Sequence, residues 1–264
     1  MSIAILKEPS MQELDLSLHD TAAARLSGAA ADYADGAVVP PHRHARCQLL
    51  ATLQGVVEVR TPAARWLIPP DRAICLPPAT DHELLMRGAV RVRCLYLAPE
   101  VRPDLQQAPG VIAVSALLRE IIAELALLST DIETGRRGQL LSELLLEELD
   151  RPADAAYLLP WPQDGRIARV CQQLLDQPAL DLTAQQWAGQ LAMSLRTFHR
   201  HFERQTGMRF GRWRQQARLL HALEALNRGQ AVLQTALDCG YDSHSAFTVA
   251  FRRHFGFTPS RARA

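Results

Sequence analysis

Three histidines have the type and spacing for metal chemistry. His42 and His44 are two residues apart beside Pro40 and Pro41. On an extended segment such a pair shares one face. With His82 from another strand, they could form a facial set of imidazole nitrogens suited to Zn, Ni, Cu or Fe. The same rings could instead be hydrogen-bonded inside the domain, lining an effector pocket without a metal, or be purely structural. The five cysteines (Cys47, Cys75, Cys94, Cys171 and Cys239) are odd in number and contain no CxxC pair. That argues against a disulfide framework or a zinc finger, and buried free thiols are expected.

The second chemistry is electrostatic. The chain of 264 residues has a formal net charge of only +1. Residues 1–163 hold 15 Lys+Arg against 21 Asp+Glu, whereas residues 164–264 hold 14 Arg against 7 Asp+Glu. A basic third on an acidic body points to a module for a polyanion. All its cations are Arg, which can contact guanine or phosphate in bidentate fashion.

This third contains a repeat. Ser194, Phe198, Phe202, Arg204 and Gly207 recur 49 residues later as Ser243, Phe247, Phe251, Arg253 and Gly256. Each Ser is placed to cap a helix, the two Phe share its buried face, and each Gly is placed to end it. Before the first copy, Thr183 and Gln186 have capping-box spacing and start a short helix with Trp187, Ala188 and Leu191. Before the second, Val232–Leu237 is the short helix and 239–242 the turn. Short helix, tight turn and capped helix make two helix-turn-helix units, Trp187–Phe202 and Thr235–Phe251. With the Phe residues inward, Arg196, His199, Arg200 and Glu203 face outward in the first unit. His244, Ser245, Thr248 and Arg252 do so in the second. Phe210–Arg228 reads as a long helix between them.

On these residues, 165–262 resembles the DNA-binding domain of the AraC/XylS regulators. The matching stretches are WAGQLAMSLRTFHRHFERQTG (187–207) and ALDCGYDSHSAFTVAFRRHFGFTPS (236–260). The resemblance implies base reading by Arg196, His199 and Arg200 in the first unit and by His244, Ser245 and Thr248 in the second. Arg204, Arg212, Arg252 and Arg253 are expected to meet phosphates. Val249 and Ala192 depart from the family pattern, which often has Arg and Gly there.

The N-terminal part reads as β. Gln48–Arg60, Ala73–Leu76 and Val90–Leu97 are expected strands, with prolines at 40, 41, 62, 69, 70, 77 and 78 in the turns. Gly36, His42, His44, Gln48 and Gly55 resemble the first cupin motif with Gln for Glu. Pro77 and His82 resemble a degraded second one. The resemblance implies a cupin-like barrel in which Gln48 is a weak, neutral fourth donor beside the histidines.

From 111 to 149 the apolar residues take helical spacing in two amphipathic helices. They either pack on the barrel or join two subunits. The expected architecture is therefore two-domain, β then α: a cupin-like β-barrel over 1–110 that binds an effector, and a helical dimerisation segment over 111–150. A linker over 151–164 and an all-α DNA-binding domain over 165–264 follow. No run reaches membrane-span length and no signal peptide is visible, so a cytoplasmic homodimer is expected. Its partners would be double-stranded promoter DNA, a small-molecule or metal effector, and RNA polymerase if it activates. Fused to such a domain, the barrel needs only to bind, so no enzyme activity is expected.

Overall fold

A computed structural model describes His19 and residues 24–130, 132–149 and 154–262. Its N-terminal part is one eight-stranded antiparallel sheet: β1 (Leu26–Tyr33), β2 (Val38–His42), β3 (Cys47–Arg60), β4 (Ala64–Ile68), β5 (Arg72–Leu76), β6 (His82–Leu97), β7 (Gly110–Ala113) and β8 (Leu158–Pro160). The long strands β3 and β6 pair along their whole length. Their first partners, β5 and β1, lie at one end; β4 and β2 lie at the other.

The sheet folds over where β3 and β6 lose register, between Thr52 and Val56. Gly55 sits there at φ +70°, and a Cβ on it would lie 2.4 Å from the Ala89 carbonyl oxygen. Only glycine allows that approach. The result is the cupin-like fold expected, as a jelly roll in which no strand pair among the described residues completes a ring.

Alternation sorts the side chains. Leu50, Ile74, Leu76, Val92, Cys94 and Tyr96 point into the jelly roll. Cys47, Leu49, Ala51, Ala73, Cys75, Leu95 and Leu97 form the opposite face, which packs on helices. All five cysteines are free and buried.

The helices on that face are α1 (Ala116–Leu127) and α2 (Arg136–Glu148). Helical period was expected from 111, but 110–113 form β7, whose Val111 and Ile112 pair with Ile74 and Ala73. Ser115 then accepts from the Leu118 amide and starts α1. β-branched residues on an open sheet edge win over the helical pattern until a cap appears. Leu118, Ile121, Ile122, Leu125 and Leu145 pack on the sheet. Leu117, Leu127, Leu128, Leu140 and Leu144 stay exposed.

The C-terminal part is helical: α3 (Gly165–Asp176), α4 (Ala184–Gln190), α5 (Leu195–Thr206), α6 (Phe210–Asn227), α7 (Val232–Asp238) and α8 (His244–Phe255). The described part of the proline-rich stretch expected as a linker is not bare chain. It carries β8, which pairs with β4 and extends the sheet. Trp161 covers the guanidinium of Arg65 at 3.4 Å. Pro160 suits an edge strand, where one amide row has no partner to meet.

Candidate functional site

Two helical hairpins carry the basic surface. In the first, the capping box of Thr183 and Gln186 starts α4. Ala192 turns the chain at φ +53°, and Ser194 Oγ accepts from the Thr197 amide to start α5. In the second, Gly240 turns at φ +72° and Ser243 Oγ accepts from the Ala246 amide to start α8. Gly207 and Gly256 end α5 and α8 in left-handed geometry. Phe198, Phe202, Phe247 and Phe251 are fully buried.

The opposite faces are open. Arg196, His199, Arg200 and Arg204 are exposed on α5; His244, Ser245 and Arg252 are exposed on α8. Arg204 also contacts His201 at 2.9 Å, and His201 reaches Asp164 at 3.1 Å. Thr248 departs from expectation. It is half-buried and its hydroxyl is enclosed without a hydrogen-bond partner among the described residues, so it offers no polar group outward. The outward position next to it is Val249, exposed by 68%.

The central helix α6 holds the hairpins, as expected, but through a residue that sequence reasoning missed. Arg218 donates to the carbonyls of Pro178 (2.7 Å), Leu180 (3.4 Å) and Gly240 (3.5 Å). It thereby ties the loop before α4 to the turn of the second hairpin. A long-stemmed Arg mid-helix has no local signature for such a task.

The histidines gather in the N-terminal sheet, where β2 ends at His42 and β6 begins at His82. The ring centroids of His42, His44 and His82 lie 4.2–5.4 Å apart. One donor nitrogen from each lies within 4.8 Å of the others. His42 Nδ1 is 2.8 Å from the Pro40 carbonyl oxygen, and His82 Nδ1 is 2.9 Å from that of Thr80. Each Nδ1 therefore carries the proton, and Nε2 keeps its lone pair. His82 Nε2 is enclosed and without a partner among the described residues.

Burial, with the neighbouring imidazoles, pulls His44 down to about 3. Burial likewise pulls His82 down to about 4. Both stay neutral at physiological pH. Gln48 is buried nearby, with Nε2 donating to Cys94 Sγ at 3.3 Å and Tyr96 Oη at 3.4 Å; Tyr96 packs its ring against His44 at 4.9 Å. His44 and His82 as buried neutral rings, with the Nδ1 atoms of His42 and His82 fixed by backbone, suit a transition-metal ion. Gln48 Oε1, enclosed without a partner among the described residues, is a further neutral oxygen.

Comparison with known proteins meets this geometry at both ends. The AraC-like ligand binding domain family matches residues 24–149, and the helix-turn-helix domain family matches 187–264. The HTH-type transcriptional regulator NimR of Escherichia coli (strain K12) is 30% identical over 222 residues, covering 84% of this chain and 81% of its own. The chain belongs to the AraC family of transcriptional regulators. The HTH-type transcriptional activator RhaS of Klebsiella pneumoniae (strain 342) is 32% identical over 101 residues, 38% of this chain and 36% of that one. Among solved structures, unsaturated fatty acid bound wild-type ToxT from Vibrio cholerae strain SCE256 covers 89% of this chain and 94% of its own at 11% identity and a TM-score of 0.37. As an AraC-family regulator the chain joins a ligand-binding domain to a helix-turn-helix DNA-binding domain; it is not an enzyme. Among its described residues no helix is long and apolar enough to cross a membrane.

The two domains of this AraC-family chain share one core. Arg65 of β4 donates to Gln172 of α3 at 3.1 Å. Arg87 of β6 lies 3.7 Å from Glu224 of α6, and Arg228 reaches Asp35 at 3.3 Å. Beneath them Glu58 takes Arg60 at 2.6 Å and Arg87 at 2.5 Å. Burial alone would raise the Glu58 carboxyl, but Arg60 and Arg87 hold it below its ordinary value. A charge so enclosed stays only because it is paired.

Proposed function

We propose that this regulator binds promoter DNA with α5 and α8 in two successive major grooves, about 34 Å apart. Arg196, His199 and Arg200 read bases from the first helix; His244 and Ser245 do so from the second. Arg204, Arg212, Arg252 and Arg253 meet phosphates. Two copies join through the exposed leucines of α1 and α2, Leu117, Leu127, Leu128, Leu140 and Leu144, which lie outside the core that these helices build with the sheet.

The sensor is the jelly roll, and the group sensed is a divalent transition-metal ion, Zn, Ni, Cu or Fe, at His42, His44 and His82. One observation carries this: a nitrogen from each of the three rings within 4.8 Å, with two of the Nδ1 atoms already engaged by backbone. Bound there, an ion supplies a cross-link between the end of β2 and the start of β6. His42 is only half-buried, which leaves the site an approach from solvent. Sensing then requires that the ion bind two arrangements of the domains with different affinity.

The test is elemental mass spectrometry of the untagged protein beside His42→Ala and His82→Ala, with operator binding measured in each metal state. Near-stoichiometric metal in the parent, absent from both variants, and an operator affinity that follows the metal are expected. No metal after incubation with all four ions would overturn the metal reading and recast the histidines as the lining of an organic-effector pocket. DNA binding would be untouched by that result.

A further inference from the structure

Val249 is the most exposed large hydrophobic residue described, at 68%. It stands on the outward face of α8. One turn before it lie Ser245 and Ala246, both exposed and small; one turn after it lie Arg252 and Arg253, both exposed. The neighbouring Thr248 turns its hydroxyl inward. So the middle of the second recognition helix presents no hydrogen-bonding group at all. It presents the isopropyl group of one valine, between small residues toward the helix start and a cationic pair toward its end.

That arrangement has a chemical counterpart in DNA. In the major groove G, C and A show donors and acceptors, while T alone adds an apolar group, its C5-methyl. A valine pressed onto G, C or A edges would strip water from polar atoms and give nothing back. Against a thymine methyl it buries apolar surface on both sides. The arginines beyond it suit phosphates and would set the depth of the helix.

We infer that Val249 is a specificity-determining residue that selects a C5-methylated pyrimidine, thymine in unmodified DNA, in the second major groove. The inference rests on the reading that α8 enters that groove.

The test uses the full chain. A duplex selected from random sequence by the parent protein is resynthesised with deoxyuridine in place of each thymine, one at a time, and binding is followed by fluorescence anisotropy. Loss of one methyl contact is expected to weaken the parent about fourfold at one position of the α8 half-site. Val249→Ala is expected to bind the thymine and deoxyuridine duplexes alike. Cytosine there should bind poorly and 5-methylcytosine should recover part of the loss. Specific binding with no methyl sensitivity at any α8-side thymine, or the same sensitivity in Val249→Ala, overturns the role of Val249 and leaves the DNA-binding reading standing. Failure to select any sequence overturns both.

Discussion

The indole Nε1 of Trp213 donates to the carbonyl oxygen of Pro160 at 2.8 Å. This bond ties the central helix of the DNA-binding domain to β8, a strand that belongs to the N-terminal sheet. Gln216 reinforces it by donating to the carbonyls of Ala155 and Leu158, and His254 contacts the Ala156 carbonyl at 3.0 Å. Trp213 is fully buried. Trp213→Phe keeps a ring in place but removes the donor and leaves an unpaired carbonyl, so a loss of about 2 kcal/mol is expected in urea unfolding. No loss would mean that this contact does not hold the two parts together.

Ala192 points the other way. It makes the turn of the first hairpin at φ +53°, whereas Gly240 does the same task in the second at +72°. A Cβ in that region strains the backbone, and glycine relieves the strain at some cost in chain entropy. Ala192→Gly is therefore expected to stabilise the fold by up to about 1 kcal/mol. Thermal unfolding checks the sign, and a lowered midpoint would show that the turn is not strained.

These two residues also mark what could be read in advance. The hairpins were legible because Ser194, Ser243, Gly207 and Gly256 act locally: a cap or a left-handed stop needs only its own neighbours. The histidine cluster was half legible, since the two-residue step of His42 and His44 fixes a face but not the backbone carbonyls that orient the rings. Of the short strands, β5 was legible at Ala73–Leu76, but β7 and β8 were not. β7 and β8 exist because Ile74 and Trp66 lie beside them, partners distant in sequence. Helical spacing alone places Thr248 outward, but the residue packs its hydroxyl inward and leaves Val249 at the surface.

Asp164 gives a pH prediction. Its carboxylate caps α3 by accepting from the Arg166 and Ile167 amides, and it lies 3.2 Å from the Arg166 guanidinium. Arg166, then His201 and the capped amides, hold its pKa well below the ordinary carboxylate value. A depressed folded pKa contributes stability above the unfolded value near 3.9 and loses it as pH falls through the folded value. Asp164→Asn still caps but carries no charge. The parent is expected to exceed it by about 0.5–1 kcal/mol at pH 7, with the gap shrinking once pH drops below about 4. A gap that is constant from pH 7 to pH 3 would remove the charge from the account.

The arginines of α5 divide into two kinds, and salt separates them. Arg196 and Arg200 lie in the first half of α5 with exposed side chains, where such a helix meets base edges. Arg204 lies in its last turn, already oriented by His201 at 2.9 Å. An arginine paired with a base discriminates among sequences, while one paired with a phosphate adds affinity to all of them and releases counterions. Arg196→Ala or Arg200→Ala should lose about 1–3 kcal/mol and flatten the preference at one base position. Arg204→Ala should weaken cognate and random duplexes alike and lower the slope of log K against log salt by about 1. The check is a salt titration of binding to both duplexes for all three variants. If Arg204→Ala changed base preference while Arg196→Ala and Arg200→Ala changed only the salt slope, α5 would have to lie in the groove in the reverse sense, with its C-terminal end on the bases.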